Sequence, residues 1–432
     1  MTRHSVRALL LAGSAIGLSF ISTVDANAGG LGVREQSAAF QGMSFAGIGT
    51  SGALSAMYWN PATQTAYRGW AVEVDAAGIF PYSSHTPGAG TSAPLLALGG
   101  AGNSGQAALV PAGYGTYQLM PNIWLGLSTN APNGLGVSFP GTWAGRGMGI
   151  NDSELKTYNI SPSVAIKINE MLSIGIGFQA QYATADLNRG IGLASTSNLS
   201  GNGWGYGFTL GATLRLTPTT EVGIGYRSRI DQSIEGTFTA SAATFPTNGA
   251  VYTTLRLPDI VTVGLRQQID PRWTVLASFE WTNWSRIGTS QVYQANGAPA
   301  TIALGTIPVV VALNYSDGWM VALGAEYKWS PALTLRTGVA FERSPVTDAV
   351  RTALVPDTDR IWLSAGLSYM LTPQWNVDLA YTHIFMREAS INQALGGGLT
   401  YVGTANPHVD IVSAALRYQF APEPARRILP TK

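Results

Sequence analysis

From Trp273 onward the chain alternates. The odd positions Trp273, Val275, Ala277, Phe279 and Trp281 are apolar; between them stand Thr274, Leu276, Ser278, Glu280 and Thr282. A period of two is a β-strand with one apolar and one mostly polar face. Val261, Val263 and Leu265 alternate in the same way with Thr262, Gly264 and Arg266. Between the two runs, Asp270-Pro271 initiates a turn. This hairpin recurs. Fourteen strands are predicted, at about 69–80, 111–119, 123–131, 154–168, 171–187, 204–216, 220–238, 251–268, 273–287, 319–329, 332–343, 358–371, 375–388 and 409–420.

The links between them alternate too. Those at 120–122, 169–170, 217–219, 269–272, 330–331 and 372–374 are very short. Those at 81–110, 132–153, 188–203, 239–250, 288–318, 344–357 and 389–408 are long. Short turns at one end, long loops at the other and an even strand count predict an all-β fold, a 14-stranded antiparallel transmembrane β-barrel. Closure leaves no unpaired strand edge against lipid. So wide a ring cannot be filled by apolar side chains, so its apolar face looks outward. Thus Trp375, Val377, Leu379 and Tyr381 face lipid, and Asn376, Asp378, Ala380 and Thr382 face the lumen. Trp124, Trp273, Trp329 and Trp375 each sit within two residues of a short turn, where an interfacial aromatic girdle belongs.

Alternation places Arg215, Arg227, Arg229, Arg266, Glu280, Glu326, Lys328, Arg336, Glu342, Asp378 and Arg417 on the lumen side. Mixed signs on one wall make paired structural charges or a polar anchor for a ligand's head group.

Composition sharpens this reading. Only 11% of the 432 residues are charged, where soluble proteins carry about a quarter. Absence of cysteine excludes disulfides and thiol chemistry. Past residue 28 no apolar run approaches the roughly 20 residues of a membrane helix. Arg3 and Arg7, the apolar run Ala8–Ile21 and Ala26-Asn27-Ala28 read as a secretory signal peptide, residues 1–28. Its removal leaves 23 basic and 23 acidic residues, so nothing favours nucleic acid as a partner. His85, His383 and His408 have no ligand-spaced neighbours, and neither a metal nor a cofactor is expected. His383 falls on the outward face, away from any lumenal serine, and the chain is expected not to be an enzyme.

Residues 29–68 differ from all that follows. They are rich in Ala, Gly and Ser, lack clean alternation, and hold a possible short helix at 37–45 and a turn signal at Asn60-Pro61. Such a segment needs burial against something larger.

Several segments resemble the FadL/TodX family of outer-membrane transporters of long-chain fatty acids and other hydrophobic molecules. They are Arg34-Glu35-Gln36-Ser37, Trp59-Asn60-Pro61-Ala62, Leu257-Pro258-Asp259, Trp281-Thr282-Asn283-Trp284-Ser285, Pro356-Asp357-Thr358-Asp359-Arg360 with Ile361-Trp362-Leu363-Ser364, and Tyr381-Thr382-His383. The resemblance implies a barrel over 69–420, plugged by an N-terminal hatch over 29–68, with Asn60, Pro61 and Ala62 anchoring the hatch. It implies passive uptake from outer loops to a pocket beside the hatch, then exit through a gap where the third strand kinks, here near Gly126 and Pro132. Phe40, Met43 and Phe45 are candidates for that pocket or for the packing of the hatch. Inward Arg266, Lys328 and Arg336 are candidates to meet a carboxylate, which favours fatty acid. Aromatic or aliphatic hydrocarbons remain the alternative cargo, and a general diffusion porin or structural barrel the alternative class. The loop at 188–203 is short and polar where family members often carry a long capture loop. Residues 421–432 form a basic tail after Phe420, the aromatic on which the family usually ends and which the barrel insertion machinery reads. The expected setting is the outer membrane of a Gram-negative bacterium, as a monomer among lipid and lipopolysaccharide.

Overall fold

The computed structural model describes residues 30–145, 152–191, 195–241, 248–302, 307–394 and 398–420. The expected leader at 1–28 and tail at 421–432 lie outside them. Fourteen antiparallel strands make one sheet. They are β1 (Trp70–Pro87), β2 (Ala108–Met120), β3 (Ile123–Asn130, resumed as Gly134–Ser138), β4 (Asp152–Lys167), β5 (Leu172–Ile191), β6 (Ser195–Thr217) and β7 (Thr220–Arg227, resumed as Ile230–Ala240). Then follow β8 (Gly249–Leu257, resumed as Ile260–Gln268), β9 (Trp273–Thr282), β10 (Gly318–Lys328), β11 (Leu333–Arg343), β12 (Arg360–Met370), β13 (Trp375–Met386, resumed as Ala389–Ala394) and β14 (Thr400–Gln419). β14 pairs with β1 from Ala71↔Gln419 to Pro87↔Gly403, so the ring is closed.

Its faces follow the alternation. Val275, Leu323, Leu363 and Leu379 are exposed; Glu326, Asp378 and Thr382 are buried inside. At the short-turn end, Trp70 packs at a tilt against its cross-strand partner Tyr117, Trp273 against Tyr327 and Trp375 against Tyr418, with ring centroids 4.3, 4.7 and 4.6 Å apart. Trp124 is not in that girdle. Its position has inward parity, and it is buried with its indole N–H donating to the Tyr67 carbonyl.

Two further expectations are corrected. β5 and β6 pair out to Ile191↔Ser195, so most of 188–203 is hairpin and not loop. Beyond the lipid the outward face meets water, so a polar residue there no longer marks the lumen side. Arg229 is exposed on the outer side, because the chain leaves the ladder at Ser228 and Arg229 and resumes with opposite parity. A matching break at Pro258-Asp259 faces it in β8. Asp259 Oδ1 stitches the two breaks, accepting from Tyr226 Oη at 2.7 Å and the Arg229 N–H at 3.1 Å.

Residues 30–67 lie within the ring. A short helix, α1 (Ala38–Gln41), is capped by the Ser37 hydroxyl, and 3-10 turns follow at Leu54–Tyr58 and Pro61–Ala66. So short a helix leaves many N–H groups without internal partners. Wall carboxylates take them. Asp75 accepts from Ala38 N–H at 2.8 Å, Glu73 from Leu54 and Ser55 at 3.0 and 3.1 Å, and Glu221 from Ser51 at 2.6 Å. The wall meets the segment closely through glycines. A Cβ on Gly211, Gly225 or Gly338 would stand 1.9 Å from Asn60 Oδ1, 2.0 Å from the Trp59 oxygen or 2.1 Å from the Met43 oxygen.

Candidate functional site: an apolar cavity above the interior segment

The β2–β3 ladder stops at Gly113↔Thr129, while β2 continues to Ala108 paired with β1 alone. Pro132 has no N–H to continue the ladder. The interior segment satisfies the break instead. Val33 N–H donates to the Pro132 oxygen at 2.9 Å, and Gly134 N–H to Leu31 at 3.0 Å. The Gln36 side chain donates to the Ala131 oxygen at 3.0 Å, and the Gln36 carbonyl accepts from Tyr114 Oη at 2.7 Å.

Leu31 also lines a cavity of about 320 Å³ in the long-loop half of the barrel. Leu135 on β3, Leu155 on β4, Ile234 on β7 and Leu255 on β8 complete its wall, with Val292 and Val310 from the loop between β9 and β10. The polar side chains of Thr253 and Ser290 are bonded to main-chain carbonyls, at 2.9 and 2.8 Å. Gln393 Oε1 has no partner among the described residues. An apolar chamber with few polar groups suits an apolar ligand.

Below it, towards the interior segment, is a narrower hollow of about 60 Å³ bounded by Val33, Arg34, Tyr58, Gln179 and Arg227. Two cations reach it, with different company. Arg34 is met by Glu280 at 2.7 Å and Glu342 at 3.2 Å. Buried Arg227 donates to the Tyr58 carbonyl at 2.8 Å and to Gln179, and its guanidinium lies 4.1 Å over the Tyr58 ring. Among the described residues it has no carboxylate partner.

Residues 18–420 match the family described as outer membrane protein transport protein (OMPP1/FadL/TodX). The chain belongs to this family. It is 28% identical over 314 residues to the long-chain fatty acid transport protein of Escherichia coli K12, covering 62% of this chain and 68% of that one. To outer membrane protein P1 of Haemophilus influenzae it is 27% identical over 356 residues, covering 72% and 75%. The structure of a Pseudomonas aeruginosa FadL homologue superposes with a TM-score of 0.79 at 20% identity, covering 91% of this chain and 100% of that one. The Pseudomonas putida toluene transporter TodX gives 0.69 at 16%, covering 89% and 99%. These solved structures share the fold. As an OMPP1/FadL/TodX protein the chain is an outer-membrane barrel that transports hydrophobic molecules.

Within this family member the residues singled out from sequence are distributed as follows. Phe40, Met43 and Phe45 are in the packed core of the interior segment, with Phe40 and Phe45 against Trp59 at 5.8 and 6.0 Å; none lines the cavity. Arg266 and Arg336 both pair with Glu326, at 2.5 and 3.1 Å, and Arg336 also with Asp378 at 2.7 Å. These are neutralised charges on the short-turn side. Lys328 is exposed at that same end. Asn60 Oδ1 accepts from Ala62 N–H at 2.9 Å and its amide donates to Gly49 and to wall residue Ala212 at 2.7 and 2.9 Å, while Pro61 starts the 3-10 turn. Gly126 keeps both its ladders and makes room for Gln64; the break lies at Pro132.

Serine and histidine do meet on the lumen side. His85 Nε2 lies 3.0 Å from Ser104 Oγ and 3.3 Å from Ser83 Oγ, but its Nδ1 has no partner among the described residues, so no carboxylate orients it as a general base. His383, on the outer face, is bonded to Asp410 at 2.8 Å.

Proposed function

We propose that this barrel takes up long-chain fatty acids. The acyl chain occupies the apolar cavity with its carboxylate toward Arg227, residues 29–68 act as the hatch, and the ligand leaves sideways at the β3 break. Residues 1–28 serve as a leader removed on export. The observation that carries the reading is Arg227, a buried cation with no carboxylate partner among the described residues, in the hollow below the apolar chamber. A desolvated guanidinium in that position favours an anion. Arg34 is already neutralised by two glutamates. The hydrogen bonds of the interior segment to the β3 break, made by Leu31, Val33 and Gln36, lie beside both hollows, which supports exit there. The name of the Escherichia coli relative agrees with this cargo.

The test compares an acid with a neutral hydrocarbon. Arg227→Gln removes charge-assisted bonds worth about 1.5–3 kcal/mol, so palmitate binding should weaken about 10–100-fold. Toluene binding should stay unchanged. Palmitate binding equal to wild type would overturn the fatty-acid reading and leave hydrocarbon uptake as the function.

A further inference from the structure

On the outer wall the lipid-facing columns of β11, β12 and β13 end together. Phe341 pairs with Ile361, and Ile361 with Phe385; all three are exposed. Just beyond the last pairs of these ladders stand Arg343, Asp359 and Arg387, which line one hollow. Arg343 donates to Asp359 at 3.0 Å and is still 56% exposed. Arg387 is exposed and has no ion-pair partner among the described residues. With neighbouring strands about 4.8 Å apart, the two arginine-bearing strands stand roughly 10 Å apart across β12. Together with Thr347, Thr358, Ser390, Arg351, Asp348 and Glu388, the three charged residues enclose a polar hollow of about 560 Å³. Asp348 is taken up by Arg351 at 2.5 Å.

From bottom to top this wall offers an apolar surface, two guanidinium groups at its upper boundary, and a hollow edged with hydroxyls. We propose that it binds a phosphorylated glycolipid of the outer leaflet. Acyl chains lie on Phe341, Ile361 and Phe385, a phosphate is held between Arg343 and Arg387, and the sugar fills the hollow. Guanidinium groups match phosphate oxygens in geometry and charge. A soluble anion would leave the apolar column unused, and a glycerophospholipid would leave the hollow unused. Asp359 tethers Arg343 beside the phosphate position, while Arg387 brings a charge that no ion pair takes up among the described residues.

The experiment uses the full-length folded barrel in detergent, confirmed by heat-modifiable migration. The probes are bis-phosphorylated lipid A, its dephosphorylated form, phosphatidylglycerol and inorganic phosphate, followed by native mass spectrometry and by titration. Wild type should retain lipid A after mild detergent dissociation. The Arg343→Gln/Arg387→Gln double variant should bind it at least 10-fold more weakly, as should wild type the dephosphorylated form. Arg256→Gln, at another exposed outward arginine on β8, should change nothing. The proposal is overturned if the double variant keeps wild-type affinity, if Arg256→Gln weakens binding equally, if phosphatidylglycerol binds as well as lipid A, or if inorganic phosphate competes at equal concentration.

Discussion

Replacing Gly225 by alanine measures how closely the interior segment is moulded to the wall. The added Cβ would stand 2.0 Å from the Trp59 carbonyl oxygen and 2.9 Å from its carbon, where ordinary contact begins at 3.4 Å. Neither side can swing away. Gly225 is paired with Gly211 and Thr262 on its two flanks, and the opposing atoms are backbone. The interior segment must therefore shift. That shift disturbs the bond from Asn60 to Ala212 at 2.9 Å and the bond from Arg227 to Tyr58 at 2.8 Å. Overpacking costs about 1–3 kcal/mol, and a displaced hydrogen bond adds about 1 kcal/mol. Together these favour the undocked segment by roughly 2–4 kcal/mol, about 30- to 1,000-fold in its population. Single-channel recordings in planar bilayers should show openings far more often than in wild type, with the ring still heat-modifiable. Gly78→Ala is the control, since its Cβ would press only on the movable Phe80 ring, at 3.2 Å, and lie in ordinary contact with the Val412 oxygen at 3.8 Å. A Gly225→Ala barrel with wild-type conductance would refute the claim that this close fit holds the segment in place.

Other outcomes follow from the same geometry. Val275→Arg places a charge on the lipid face, which costs about 2–4 kcal/mol near the midplane, and should abolish the heat-modifiable band. Ser278→Arg should keep that band but leak ions, because Ser278 Oγ donates to the Phe45 carbonyl at 2.8 Å; equal folded yields would mean the faces are inverted. Deleting residues 30–58 should leave a folded ring of high ionic conductance, and unchanged low conductance would mean the segment is no barrier. Glu35 gives a pH signature. Burial lifts its pKa from 4.5 to about 7, with Glu342 adding to the rise and Arg34 and Arg360 opposing it; neither carboxylate oxygen has a partner among the described residues. A carboxyl whose pKa rises on docking favours the docked state most below pH 4.5 and loses that stabilisation as pH climbs through 7, a difference of about 3 kcal/mol. Channel openings should become more frequent across that window. They should be pH-independent at the acid level in Glu35→Gln, and a flat wild-type profile would sink the idea.

The ring was legible because lipid imposes one rule on every strand, so Leu379 and Tyr381 could be set against Asp378 and Thr382 without knowing a single contact. Parity fails where the ladder breaks. One step out of register at Ser228 inverted Arg229, with no local mark beyond the paired Pro258-Asp259 opposite. Trp124 has the composition of a girdle residue and the parity of an inward one, and parity decided. The cavity was harder to see, since Leu155, Ile234 and Leu255 look like ordinary strand leucines and isoleucines. A signal was nonetheless present above Pro258, where Tyr252, Thr254 and Arg256 point out and Val251, Thr253, Leu255 and Leu257 point in. Polar residues outside and mostly apolar ones inside reverse the rule of the lower barrel and mark an apolar interior above the membrane. Arg227 was placed inward, but its lack of a carboxylate partner depends on strands distant in sequence.

The ring closes between β1 and β14, and the interior segment lies immediately upstream of β1, joined through Arg68 and Gly69. Its path through the lumen is bounded by wall glycines that leave no slack. A chain of that shape cannot be threaded in once the last seam has formed. The segment is therefore seated before the ring closes, and the β1–β14 seam, which joins wall strands alone, is the final commitment. An error in seating is sealed in when that seam zips, so quality control must act while the ring is still open.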